Sequence, residues 1–384
     1  MASQIGLQTS YINTVPDKRM VTDRILMIEP YDIVAYSYLG TDMGKFNFTN
    51  RDGKVYEWLE DTYNDRTDVV ASGLASSSTT TTMVVTDADL WQVGDVWECE
   101  GEGIMVTAKS TTTMTIVRNI YGAQATHADA SVITRTSRAR IDGASADDSP
   151  TNEIASASNV TQIFQRTIEV ARTKGRIAEY GVADWENFWI DKYMEELMMD
   201  LARAPYILDT LSAGSASQGR VMGGLPKFIT DNLTFATSTA ATGGTALALT
   251  RDHIDDTLQA IFSDGGDPNL ILTVPHAQRK INDFYEGYVS TERSEQLGGV
   301  LIKKLMNPIT GKILDVVVDR NCPSGQMWIL STKNIAYYPF DPFFYENLAK
   351  TKDTSAFGQV VGEYGFVCAY DKSHGAVKEF SSSL

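Results

Sequence analysis

The sequence predicts an α+β protein in which a small all-β module interrupts a long extended excursion of the chain. Three stretches carry that prediction. Residues 68–135 are dense in Thr, Val and Ile and poor in helix formers. Residues 182–203 repeat apolar side chains at helical spacing. From residue 250 onward, helix-like and strand-like runs alternate before a long closing strand.

In chain order, residues 1–18 read as a flexible arm. Arg19–Ile28, "RMVTDRILMI", reads as a short helix stopped by Pro30. From Phe46 to Asn64 the chain turns extended, with a turn at Asn50–Gly53. Inside the module, "MVVT", "VWECE", "IMVTA" and "MTIVR" each have strand length, and Gly101-Glu102-Gly103 links two of them tightly. They predict a small barrel or sandwich whose two ends lie close together, as insertion into a host domain requires. The stretch "SRARIDGASADDSPTNEIASASN" has no core pattern and reads as a loop. "TQIFQRTIEVARTKGRIAEYG" returns as an extended segment.

The strongest helix spans Val182–Arg203. Trp185, Trp189, Tyr193, Leu197 and Leu201 form one row, broadened by Phe188, Ile190, Met194 and Met198, and Pro205 closes it. This aromatic and Met stripe is read as packing surface rather than a cofactor pocket. After a Gly/Ser loop, Thr250 caps a helix carrying Ile254, Leu258, Ile261 and Phe262, which Gly265 ends. "NLILTV" is a buried-type strand, and Pro275 opens the next helix. A hairpin follows with its turn at Asn307–Gly311, then the strand "QMWILS" and the long alternating segment that closes the chain.

The 384 residues suffice for two or three domains. At 43% hydrophobic and 21% charged residues, the chain is not disordered overall. Its formal charge of -16 and lack of a Lys/Arg cluster argue against a DNA-binding enzyme, because binding by counterion release needs clustered cations. An acidic container that must not stick to DNA inside it remains compatible. Cys99, Cys322 and Cys368 lie far apart with no CxxC pair, so they read as buried reduced thiols rather than disulfides or zinc ligands. The first twenty residues lack an apolar core, which predicts no signal peptide. No run of about 18 apolar residues exists to span a membrane.

A search for chemistry finds none. "PITGKI" lacks the first Gly and the hydroxyl of a phosphate-binding loop, GxGxxG is absent, and none of the four histidines pairs at i, i+4. "AGSASQG" has the composition of a nucleophile elbow without its spacing. "FSDGGDP" lacks the alternating oxygens of a calcium loop. The sequence therefore assigns no catalytic, cofactor or metal residues. An excursion as long as 46–181 must be covered by something, and the economical cover is another copy of the same chain.

Six stretches carry a resemblance. They are "VYEWLEDT" (55–62), "NVTQIFQRTIEVARTKGRIAEYG" (159–181), Trp185–Leu201, "GRVMGGLPKFI" (219–229), "GGDPNLILTVPHAQRKINDFY" (265–285) and "LAKTKDTSAFGQVVGEYGFVCAYDKSHGAV" (348–377). In this order they resemble the major capsid proteins of tailed bacteriophages, the HK97-type fold. The resemblance implies an N-terminal arm (1–45), an extended loop (46–68 and 136–181) and an inserted β domain (69–135). It further implies a peripheral domain with a spine helix (182–224 and 345–384) and an axial domain (225–344). It also implies hexamers and pentamers of an icosahedral shell around double-stranded DNA, without sequence-specific binding. A portal and scaffolding or decoration proteins would be partners, in a virion assembled in the host cytoplasm. Tyr56 and Trp58 on one strand, with Ile163 and Phe164 on the other, are the candidate inter-subunit contacts; the alternative is that they pair the loop's own two strands. Two other readings stay open: a prokaryotic nanocompartment shell, and a virion-associated carbohydrate-active β protein using a carboxylate pair.

Overall fold

The structure, a computed structural model, describes residues 33–40, 46, 53–74, 81–140, 142–143, 154–177, 182, 184–239, 241–285, 289–293, 301–350 and 352–381. The expected arm over 1–18 and the short helix over Arg19–Ile28 lie outside the described residues. The elements are α1 (Val34–Leu39), β1 (Val55–Glu60), β2 (Thr67–Ser72), β3 (Thr82–Val85), β4 (Asp95–Cys99), β5 (Glu102–Ser110), β6 (Thr113–Val117) and β7 (Val132–Arg138). Next come β8 (Ala155–Val160), β9 (Gln162–Ala171), α2 (Trp185–Ile207), α3 (Leu225–Phe228), β10 (Leu233–Phe235), α4 (Arg251–Ser263), β11 (Leu270–Thr273) and α5 (Pro275–Phe284). The chain ends with β12 (Val289–Arg293), β13 (Leu301–Met306), β14 (Ile313–Val318), β15 (Gln326–Leu330), β16 (Ile335–Asn347), β17 (Thr354–Cys368) and β18 (Gly375–Lys378). Two compact units result: Met1–Trp58 with Ala157–Leu384, and Leu59–Ser156.

The second unit is a closed barrel with strand order β2-β3-β6-β5-β4-β7. Alternation along its strands sends Val70, Met83, Val85, Cys99, Ile104, Val106, Met114, Ile116 and Ile133 into one core. Trp91 stacks on Trp97 in that core at 3.8 Å between ring centroids, and its Nε1 donates to Asp68 at 2.7 Å. Closure leaves no free strand edge. First and last strands are neighbours, Thr67 lying opposite Thr134, so the chain enters and leaves the barrel side by side. Glu100 and Gly101 both take positive φ in the β4–β5 turn, while Glu102 and Gly103 already belong to β5. Excising residues 67–138 and joining the ends with a short linker is expected to leave the larger unit folded. Calorimetry should retain its transition within a few degrees; insoluble protein would contradict independence of the barrel.

The larger unit holds a seven-stranded sheet of order β10-β18-β15-β11-β14-β13-β12 and a three-stranded sheet of order β16-β17-β9. The period-2 geometry of strands splits the first sheet between two cores. Leu270, Leu272, Trp328 and Leu330 face the core shared with α2, whereas Ile271, Met327 and Ile329 face the core of α4 and α5. β18, which the resemblance assigns to the peripheral part, pairs here with β10 and β15.

Local rules account for most elements. Asp184 caps α2 by accepting from the Glu186 N–H at 2.9 Å. Thr250 and His253 form a reciprocal capping box on α4, and Pro275 opens α5. Asn307 N–H donates to Lys312 O and Gly311 N–H to Asn307 O, which closes the β13–β14 turn. Three expectations need correction. Pro205 does not close α2, which continues to Ile207; a proline in the last turn removes a single helical bond. Phe262 is 55% exposed and lies off the core stripe of α4. The end of the stretch read as a loop, residues 155–159, lies in strand β8.

Candidate assembly surface

The extended excursion is rooted by side chains that replace missing strands. β1 pairs with β8 in a two-stranded sheet. β9 pairs with β17, but only as far as Gln162 opposite Tyr364. Beyond that point the free edge of β17 needs partners for its peptide groups. Tyr56 supplies them: its hydroxyl accepts from Phe366 N–H at 2.6 Å and donates to Phe366 O at 3.0 Å. Asn159, fully buried, adds four bonds. Its Nδ2 donates to Phe366 O at 2.6 Å and Gly223 O at 2.9 Å, and its Oδ1 accepts from Val160 N–H at 2.8 Å and Gly223 N–H at 2.9 Å. One step on, Thr161 N–H donates to Lys54 O at 3.0 Å, and Arg220 Nε donates to Thr161 O at 3.0 Å. Arg220 also pairs with Glu363, which accepts from the Thr161 hydroxyl.

Glycines in β17 make this packing possible. A Cβ at Gly365 would run into the Tyr56 ring and hydroxyl, and one at Gly362 into the Phe343 ring. Small-to-large changes in a close-packed site cost about 1–3 kcal/mol. Gly365→Ala is therefore expected to lower the stability of the larger unit by about 2 kcal/mol in urea denaturation. An unchanged midpoint would show that Tyr56 yields freely.

The structure places the four sequence-derived contact residues differently from one another. Tyr56 and Trp58 are 5% and 6% exposed and pack with Tyr338, Val367 and Ala369 of their own chain. Phe164, 7% exposed, lies in the core shared with α2. These three side chains are occupied within the chain, because β9 pairs with β17 rather than with β1. Only Ile163, at 54% exposure, is free to meet a neighbour. It borders a cavity of about 250 Å³, whose other walls are Lys54 and the loop from Ala213 to Arg220. That loop is closed by the Ser212–Val221 bridge and a Ser215 N–H bond to Gln218 O at 2.9 Å. Asn159, Arg220 and Glu363 were not singled out from the sequence. A single polar residue in a small-residue stretch carries no sign that it will be buried.

The barrel carries its own polar chain. Arg118 forks onto Glu102, His127 lies between Glu102 at 2.9 Å and Glu100 at 2.8 Å, and Ser131 donates to Glu100 at 3.1 Å. Burial alone would raise the Glu102 carboxyl, but hydrogen bonds from Arg118, His127 and the Ala125 N–H reverse this and hold it at about 2. The His127 and Ser131 bonds likewise lower Glu100. Cys99, Glu100 and His127 bring potential metal-ligating atoms within 4.8 Å of one another. Both imidazole nitrogens nevertheless face carboxylates, so neither is free to take a metal ion. All three cysteines are buried, and none forms a disulfide. Burial pushes the Cys99 thiol up to about 11, with Glu100 and Glu102 adding to the effect, so it is a poor nucleophile. No helix among the described residues is long and apolar enough to cross a membrane.

Comparison with known proteins gives one family and a set of folds. A sequence-family model described as SU10 major capsid protein matches residues 5–381. No curated protein sequence matches. The chain is similar to the capsid asymmetric unit of cyanophage A-1(L), with a TM-score of 0.53 and 13% identity, over 97% of this chain and 99% of that one. It is similar to the capsid of Myoviridae phage XM1, with a TM-score of 0.49 and 9% identity, over 94% and 97% of the two chains. A holo-encapsulin complex from Synechococcus elongatus gives a TM-score of 0.42 and 10% identity, over 61% of this chain and 78% of that one.

Proposed function

This chain belongs to the SU10 major capsid protein family, and we propose that its copies form the hexamers and pentamers of an icosahedral bacteriophage head around double-stranded DNA. The family match over residues 5–381 is the observation that carries the reading. The residues fit a structural role. The polar groups at the loop root are hydrogen-bonded to one another, and the cysteines are buried. We assign the chain no reaction.

Assembly in this reading rests on repeated contacts between copies. Obligate interfaces bury roughly 2,000–5,000 Å². At about 25 cal/mol per Å² of apolar area, that is several tens of kcal/mol gross, much of it offset by lost translational freedom and side-chain ordering. The charge of -16 keeps the wall from binding its contents. A portal and scaffolding or decoration proteins are the further partners in this reading, and the host cytoplasm is the place of assembly. Virus particles built from this chain should contain it as their most abundant protein and protect double-stranded DNA from nuclease. Particles that protect an enzyme and no DNA would instead indicate a nanocompartment.

A further inference from the structure

Two features of the chain are each incomplete in a complementary way. The first is the cavity beside Ile163. Ala213, Gly214 and Ser215 give it small walls, its volume of about 250 Å³ has room for a large side chain, and Ile163 offers an apolar surface. Lys54 at its rim is exposed and has no acidic partner among the described residues. Arg220, the other cation there, is already paired with Glu363.

The second feature is the segment after β1. Tyr63 is 98% exposed and Leu59 69% exposed. Asp61 and Asp65, two residues to either side of Tyr63, are also exposed. A large aromatic side chain ringed by polar groups is the usual form of an interface anchor. Copies carrying a charge of -16 repel one another on average, so an acidic segment approaches a second copy most readily at an unpaired cation. The cavity has room, an apolar wall and that cation; the segment has an aromatic ring and the matching acids.

We propose that the cavity lined by Lys54, Ile163 and the 213–220 loop receives Tyr63 of a second copy of this chain, with Asp61 or Asp65 set against Lys54. This rests on the shell reading above and names a contact within it. Tyr63 then acts as the anchor, and the Lys54 pair sets register and orientation more than affinity.

The test uses the full chain. Isotopically heavy and light preparations are mixed before assembly, and the shells are treated with a carbodiimide, which joins an amine to a carboxylate in contact with it. Mass spectrometry is expected to find Lys54 joined to Asp61 or Asp65 in peptide pairs of mixed isotope. Tyr63→Ala should leave the circular dichroism and melting of the free chain unchanged, because the side chain is almost fully exposed. It should raise the concentration needed for half-assembly by about tenfold or more. Shells with no link between Lys54 and residues 61–65, or with links only between peptides of one isotope, would overturn the proposal and leave the shell reading standing. So would a Tyr63→Ala chain that assembles at the wild-type concentration. Failure of the unaltered chain to form any shell would remove both.

Discussion

Asn159→Leu is expected to cost the larger unit about 4 kcal/mol or more, enough to abolish soluble expression of a marginally stable chain. Leucine fits the volume but makes none of the four bonds. Val160 N–H, Gly223 N–H and Gly223 O would be left buried without that partner, and Phe366 O would keep only Tyr56. Each orphaned buried group costs about 1–3 kcal/mol, more than the small gain from an apolar side chain. Asn159→Asp is the informative control. It keeps the shape and the acceptor, but it turns a carboxylate oxygen toward the Gly223 and Phe366 carbonyls at neutral pH. Both variants should show strongly lowered denaturation midpoints. A midpoint within about 1 kcal/mol of wild type for Asn159→Leu would mean that the loop root does not depend on this amide.

Acid is expected to weaken the larger unit before it weakens the barrel. His374 is fully buried, with Nδ1 accepting from Ser331 N–H at 3.1 Å and Nε2 donating to Ala369 O at 3.1 Å. Burial lowers its pKa from 6.5 to about 4, against a small opposing effect of the Ala369 bond. The unfolded chain thus takes up this proton first. The stability is complete above about pH 6.5 and declines as the pH falls toward 4, by about 3 kcal/mol in all. Asp371 works in the opposite sense, since burial raises its carboxyl, and it offsets part of the loss as that carboxyl protonates. In the barrel, Glu102 is held at about 2, so its contribution persists until the pH drops below about 4.5. Calorimetry from pH 7 to 5 should show the transition of the larger unit moving down while that of the barrel holds. His374→Gln, which does not titrate, should flatten the first trend. Equal slopes for wild type and variant would contradict the assignment to His374.

The sequence made legible what depends on local rules. Thr250, Pro275 and the Asn307–Gly311 turn mark their elements directly, because caps, fixed φ and turn residues act within a few positions. The barrel strands were visible in their β-branched content, and their closure order was not, since pairing is set by long-range contacts. β16 shows why some strands escape detection. Pro339 and Pro342 argue against a strand, yet β16 is an edge strand with register shifts around Asp341, where a missing N–H is tolerated. The loop root was the least legible part. Tyr56 and Trp58 stood out as aromatic residues on an extended run, but whether they meet their own chain or another depends on where β9 finds its partner. It pairs with β17, roughly 190 residues away, and this turns Tyr56 inward onto Phe366.

Light scattering on the purified chain, with negative-stain imaging of the same sample, tests the central claim most directly. The account predicts closed shells, or rings of five or six subunits that close under mild conditions. A stable monomer or dimer that persists at high concentration would contradict it.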